Sequence, residues 1–313
     1  MLGLGGVLPR AGTGRATAFA GFGAHGPPRR SGQLSDGGLA MHSSSVQIWA
    51  AELARAAHPA LTRRYWELMN PGERQRAVRF MRHKDRHRYV VTRALARTVL
   101  AGYVCQPPEG LNFGRTPAGR PFLVAPRAGV PLPSFSISHT EDYVFLAVAR
   151  HLRLGFDAES AGRQVEFAAM RRFFTAAEAR YVLQHPASSR RRILELWTLK
   201  EAYVKALGLG LHLGLTSFSF AQLSSGGRVE KAFSGRGDDD GAWRFFELAL
   251  PGEHLGACCV GEADPGQVPQ MQLIDCVPLG GVHIEGALPV QEVHVRKERA
   301  SRTERALQER LRA

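Results

Sequence analysis

Trp197–Lys205 reads WTLKEAYVK, and Ile193, Leu196, Trp197, Val204 and Leu207 recur around it at helical spacing. Such a stripe is the core-facing side of an amphipathic helix. Lys200 stands where the next apolar residue of the stripe belongs, and Glu201 follows it at once. An unpartnered buried ammonium is costly, so a lysine there either snorkels to water or reaches an anion. Gly208 suits the position just past the helix end. Glu201 and Lys205 also read as an exposed i,i+4 pair, which leaves the place of Lys200 unexplained.

Upstream, LRLGFDAES reads as a strand ending in acid. Asp157 and Glu159, two apart, project from one face of that strand. Neighbouring carboxylates repel unless a proton or cation lies between them, and oxygen-only ligands suit a hard divalent ion such as magnesium. The same pair reads equally as a solvated strand end. In FSISHT, Phe135, Ile137 and His139 share one strand face while Ser136 and Ser138 share the other. His139 closes the strand at a turn, a place for a structural histidine or a functional one.

Between these motifs the chain alternates in a way that sets the fold class. VQIWAAEL opens as a strand, residues 59–103 are helical, and RPFLV and PSFSISHTEDYVFLAVAR are strands with a turn at Thr140–Asp142. NPGERQRAVRFM carries an N-cap, a proline at the first helical position and a first-turn glutamate. After the GFDAES strand comes a helical stretch from Phe167 to Leu207 with a breaker at HPASS, then the strands TSFSFAQL, WRFFELAL and LGACCVGEA. Helix followed by strands therefore occurs twice, which predicts an α+β fold of two related halves, 46–150 and 151–263. Residues 1–45, poor in acid and rich in Gly, Ala, Arg and Pro, read as a disordered leader; a transit peptide or a true start at Met41 fit the same composition. Residues 264–313 read as a tail without an assigned role.

The balance of 41 basic to 28 acidic residues, net charge +13, calls for an anionic partner or reflects codon usage. Basic residues, Arg82 and Arg86 among them, crowd the segment 63–97, as a solvated face or a phosphate-binding one. The four cysteines show no zinc spacing and read as reduced thiols of a cytoplasmic protein. No apolar run is long enough to span a bilayer. His83 and His87 have HxxxH spacing but sit in a positive field, and Gly208, Gly210 and Gly214 do not make GxGxxG.

Taken in order, SISHT, GFDAE and WTLKEAYVKALGLGL resemble the signature of the 4′-phosphopantetheinyl transferases of the surfactin-synthetase-activator type. The upstream GRTPAGRPFL resembles that family's Gly-Lys-Pro element, with Arg120 where lysine is common. The resemblance spans about residues 46–263 and implies a pseudo-twofold α+β fold with coenzyme A in the cleft between halves. It implies magnesium on Asp157, Glu159 and Glu201, and lysines 200 and 205 (Lys200, Lys205) at the cofactor phosphates. Ser138 and His139 then contact coenzyme A, and Arg120, more loosely Arg82 and Arg86, serve its phosphates and adenosine. Glu201 is the implied base, with Lys205 beside it, for transfer of the phosphopantetheine arm to a serine of an acidic acyl or peptidyl carrier protein. The implied enzyme is a cytoplasmic monomer with no membrane or nucleic-acid partner. Lys200 would turn towards the cleft and its polyanion. Two rival readings remain from the residues alone: a non-catalytic nucleic-acid binder built on the basic helix, and a metal-dependent phosphoesterase.

Overall fold

A computed structural model describes residues 45–125, 129, 131–184, 186–210, 213–223, 229–235, 243–261, 268–288 and 290–293. The leader and the end of the tail lie outside these residues. The first half runs β1 (Ser45–Glu52), α1 (Pro59–Leu68), α2 (Pro71–Val78), α3 (His83–Val104), β2 (Phe113–Arg115), β3 (Pro121–Leu123), β4 (Ser134–His139) and β5 (Tyr143–Ala149). The second runs β6 (Arg153–Ser160), α4 (Phe167–Met170), α5 (Ala176–Leu183), α6 (Ser189–Leu207), β7 (Phe218–Leu223), β8 (Val229–Gly235), β9 (Arg244–Leu250) and β10 (His254–Gly261). Each half is thus a strand, a helical segment ending in its longest helix, a small hairpin and two more strands. The sheet orders match as well: β1-β5-β4 in one half, β6-β10-β9 in the other. This is the α+β architecture of two similar halves expected from the sequence.

Local chemistry explains the helix starts. Asn70 accepts from Glu73 N while Glu73 reaches back to Asn70 N, a capping box that opens α2. Thr175 and Glu178 do the same for α5. Glu73 also pairs with Arg93 and, at 2.9 Å, with the fully buried Arg97, whose remaining donors reach Pro108 O and Leu111 O. The guanidinium thereby ties α3 to the chain leading into β2, and a good part of the basic run is internal structure rather than a free cationic face.

Three apolar clusters divide the core. One packs α3 against the first sheet, and a second packs α6 against β7, β9 and β10. The third, with Ile48, Phe145, Phe156, Phe246, Cys258 and Leu273, joins the helix-free faces of both sheets. Residues 270–293, assigned from sequence to a tail, form β11 (Gln270–Val277), β12 (Gly281–Ala287) and β13 (Val290–Val293). β11 pairs in parallel with β1, and β13 closes the outer edge of β9. Pro and Gly around these short strands masked their alternation.

Glycine at 155 lets α6 lie directly on β6. A Cβ there would stand 1.9 Å from Ala202 O and 2.4 Å from Ala206 N, both backbone atoms that cannot swing aside. Gly155→Ala is expected to cost at least about 3 kcal/mol in urea unfolding, because the helix must lift off the strand. Gly102→Ala, exposed on α3 with nothing within 4 Å of the new methyl, is the control and is expected to be neutral or slightly stabilising.

Candidate active site between the two halves

The two sheets meet where β4 runs alongside β6 in the same direction, and serine hydroxyls replace a backbone ladder there. Ser136 Oγ accepts from Phe156 N at 3.0 Å and donates to Phe156 O at 3.2 Å. Ser138 Oγ accepts from Ala158 N at 3.2 Å and donates to Asp157 Oδ1 at 2.8 Å. Buried backbone groups that a ladder would satisfy are satisfied by side chains.

Lys205 closes this seam from α6. Its ammonium donates to Asp157 Oδ1 at 2.6 Å, Phe156 O at 3.2 Å and Ile137 O at 3.4 Å, touching both strands at once. Asp157 is almost fully buried and lies between two donors, a hydroxyl and a charge-assisted one. Glu201, one helical turn before Lys205, faces the same side. Burial pushes the Glu201 carboxyl above its ordinary value, the Asp157 charge pushes it further, and Lys205 pulls it back. Glu159 behaves alike: burial first and Asp157 second raise it, while its ion pair with Arg163, a hydrogen bond with Trp197 and the field of Lys205 lower it.

An open cleft of about 240 Å³ lies beside the seam, with Ile137, Glu201, Lys205, Gly208, Gly210 and Arg120 among its walls. Arg120 donates to Ala206 O at 2.8 Å and to Leu154 O at 3.1 Å, so its fork caps the end of α6 and holds it to β6. Burial and then the nearby Arg153 lower its pKa. Gly208 has φ +70°, and a Cβ on it would stand 3.0 Å from Arg120 Cδ. The helix therefore ends in glycine both for the left-handed turn and for room beside the guanidinium.

The remaining site candidates are placed unevenly. His139 is exposed at the end of β4, yet neighbouring protein strips away enough water to lower its pKa, with Arg88 the next cause and Lys205 contributing. Arg82 is exposed at the start of α3, and Arg86 keeps a buried Nε without a hydrogen-bond partner; neither lines the cleft. Lys200 does not face the cleft. It is fully buried on the other side of α6, 2.9 Å from the equally buried Glu178, and donates to Leu215 O and Phe218 O. Burial lowers its pKa and Glu178 raises it. The anion that the stripe demanded is a protein carboxylate. Sequence reading missed Glu178, although Thr175-x-x-Glu178 is the capping-box pattern and marks a glutamate held near backbone. It also missed Arg88 beside His139 and Arg163 on Glu159.

Asp157, Glu159 and Glu201 supply only oxygen donors and repel one another, which suits a hard divalent cation. As they stand, with Lys205 and Arg163 on two of them, no three acidic, histidine or cysteine groups among the described residues gather closely enough to hold a metal. The chemistry of the set fits magnesium; a ready-made cage is not present. No helix among the described residues is long and apolar enough to cross a membrane.

The cleft at the seam of the two like α+β halves carries Glu201, Lys205 and Arg120 on its walls. Residues 59–151 match the family profile described as 4′-phosphopantetheinyl transferase, N-terminal, and residues 153–259 that of the 4′-phosphopantetheinyl transferase superfamily. The chain belongs to the 4′-phosphopantetheinyl transferase superfamily. It is similar to a phosphopantetheinyl transferase of Thraustochytrium sp., 29% identical over 219 residues that cover 66% of this chain and 75% of that one. An L-aminoadipate-semialdehyde dehydrogenase-phosphopantetheinyl transferase of Xenopus laevis is 28% identical, covering 63% of this chain and 69% of its own. A 4′-phosphopantetheinyl transferase of Bacillus subtilis is 28% identical over 59% of this chain and 80% of its own.

Ser138→Ala leaves Ala158 N buried without its acceptor and takes one donor from Asp157. We expect a loss of about 1–2 kcal/mol in urea unfolding, together with faster amide exchange at Ala158, whereas Ser217→Ala on the exposed loop changes neither. Unchanged exchange at Ala158 would show that the seam does not depend on the hydroxyl.

Proposed function

We propose that this protein transfers the 4′-phosphopantetheine arm of coenzyme A to a serine of an acyl or peptidyl carrier protein. The observation that carries this reading is the Lys205–Asp157–Ser138 cluster astride the β4–β6 seam, with Glu201 and Arg120 on the walls of the adjoining cleft. In the reaction the serine oxygen forms a bond to the β-phosphorus, the pyrophosphate P–O bond breaks, and 3′,5′-ADP leaves. The serine proton passes to Glu201, directly or through a water; a carboxylate held above its usual pKa is the stronger base. Lys205 meets the phosphate oxygens by exchanging its longest contact, the 3.4 Å one to Ile137 O, while staying on Asp157. Asp157, Glu159 and Glu201 would hold magnesium, which when bound supplies Lewis-acid charge to the pyrophosphate oxygens. Arg120, already committed to two carbonyls, shapes the wall and adds positive field. Coenzyme A phosphates need that field, because charge accumulates on them as the bond breaks.

Two further features support the partners. The net charge of +13, with Arg79, Arg82 and Lys84 exposed near the start of α3, favours the approach of an acidic carrier. One chain supplies both walls of the cleft, so the reading needs only a monomer. Cys105, Cys258, Cys259 and Cys276 are free thiols, in keeping with a cytoplasmic enzyme.

Intact-protein mass spectrometry on an apo carrier incubated with coenzyme A and magnesium tests the reading. The carrier should gain one phosphopantetheine arm, and Asp157→Ala should slow this at least about 100-fold. No gain with carriers of fatty-acid, polyketide and peptide synthesis would refute transfer. Hydrolysis of coenzyme A without a carrier would instead identify a phosphoesterase.

The pH profile gives an independent check. Glu201 works ionised, and its pKa is raised, so activity should rise with pH through a limb above the ordinary carboxylate value of about 4.3. A bound cation favours the charged form, so more magnesium should move that limb to lower pH. A limb that ignores magnesium across a range of concentrations would remove Glu201 from the metal set.

A further inference from the structure

The Lys200–Glu178 pair is the most completely buried charge pair among the described residues, and nothing in the transfer chemistry uses it. Both side chains are 0% exposed. Each of the three hydrogens of the ammonium has a partner: Glu178 Oε1 at 2.9 Å, Leu215 O at 2.6 Å and Phe218 O at 3.1 Å. The Lys200 ammonium also lies 4.5 Å from the centre of the Phe218 ring. On the other side Glu178 accepts from Phe220 N at 2.8 Å and from Thr175 N at 2.7 Å. One ion pair therefore fastens α5, α6, β7 and the end of the loop that leaves α6.

Two consequences reach the cleft from that buried point. Lys200 and Glu201 are consecutive on α6, so anchoring one inward fixes the roll of the helix and the direction of the other. Successive residues are about 100° apart around a helix, enough to place Lys200 in the core and Glu201 at the cleft. Just past α6, Gly208 and Gly210 lie in the cleft wall, and Lys200 holds Leu215 O on the segment that leads into β7.

Resting on the transfer reading, we propose that Lys200 is a positioning residue. Through Glu178 it holds α6 and the chain at Leu215 and Phe218 so that Glu201 and Lys205 meet the substrate, and it does not itself touch coenzyme A. This is the opposite of the role that the sequence resemblance implies for it, and the two are separable.

The test compares Lys200→Met, Glu178→Gln and the double variant with the wild type, in carrier modification and in coenzyme A binding by calorimetry. Removing one partner strands a buried charge, whereas replacing both by neutral groups of similar size is often tolerated. We expect Lys200→Met to lower kcat by about tenfold or more per folded molecule while KM for coenzyme A changes less than about threefold. In the double variant kcat should recover most of that loss, with coenzyme A affinity at the wild-type level. If Lys200→Met does not fold, the double variant decides alone.

A double variant that folds but binds coenzyme A about tenfold more weakly would overturn the proposal and make Lys200 a cofactor ligand. So would a Lys200→Met protein of lowered melting temperature but unchanged kcat, which makes the pair purely structural. A wild type that binds coenzyme A yet modifies no carrier refutes the transfer reading by itself, and with it the claim that Lys200 serves transfer. The variant comparison of affinity then still shows whether Lys200 touches the cofactor.

Discussion

Everything at the cleft depends on how two sheets are made to touch along β4 and β6. A continuous ladder would have closed the strands at backbone distance and used up their polar groups. Ser136 and Ser138 instead insert hydroxyls, so the strands stand apart while their amides remain satisfied. That separation leaves a gap into which Lys205 reaches from α6 to contact carbonyls of both strands. Asp157, at the centre of the gap, accepts from both a hydroxyl and an ammonium. The candidate site groups thus sit at the junction because the junction is incomplete.

The charges in this molecule fall into two populations with different work. Lys200 with Glu178, and Arg97 with Glu73, are enclosed pairs whose cations lie against carboxylates and backbone carbonyls. Glu201, Glu159 and Arg120 lie near the cleft with much of their water stripped away; burial first, and then Asp157, raises the two carboxyls, and burial with Arg153 beside it lowers the guanidinium. The first population fixes elements in place; the second is left electrostatically unsettled, the condition a polyanion and a cation would relieve. Formal charge along the sequence does not distinguish the two.

That difference marks what could be read before the structure. Helix and strand periodicity, the doubled order of elements, the face shared by Asp157 and Glu159, and the end of α6 at Gly208 are local properties, and local spacing records them. The inward turn of Lys200 was half legible: the stripe required an anion, yet its partner lies in a different helix, and the resemblance pointed towards a ligand. The seam was illegible, since Ser136 and Ser138 look like any alternating polar residues until β6 is placed beside them. Arg82 and Arg86 stood in a basic run whose members go to quite different surroundings, which composition cannot sort. β11 was lost because its pairing with β1 joins residues from opposite ends of the described chain.

That last pairing has a consequence for the order in which the protein forms. β1 is among the first elements to emerge during synthesis, but its parallel neighbour is made only after both halves are complete. Until then that edge of β1 has no strand to meet, and the second sheet likewise waits for β13 to cover the outer edge of β9. Long-range parallel pairing is slow, because loop closure must precede any gain. Both sheets are therefore completed only by the last described strands, and a ribosome that stops before Gln270 releases a chain with open sheet edges, the kind of surface that holding chaperones capture.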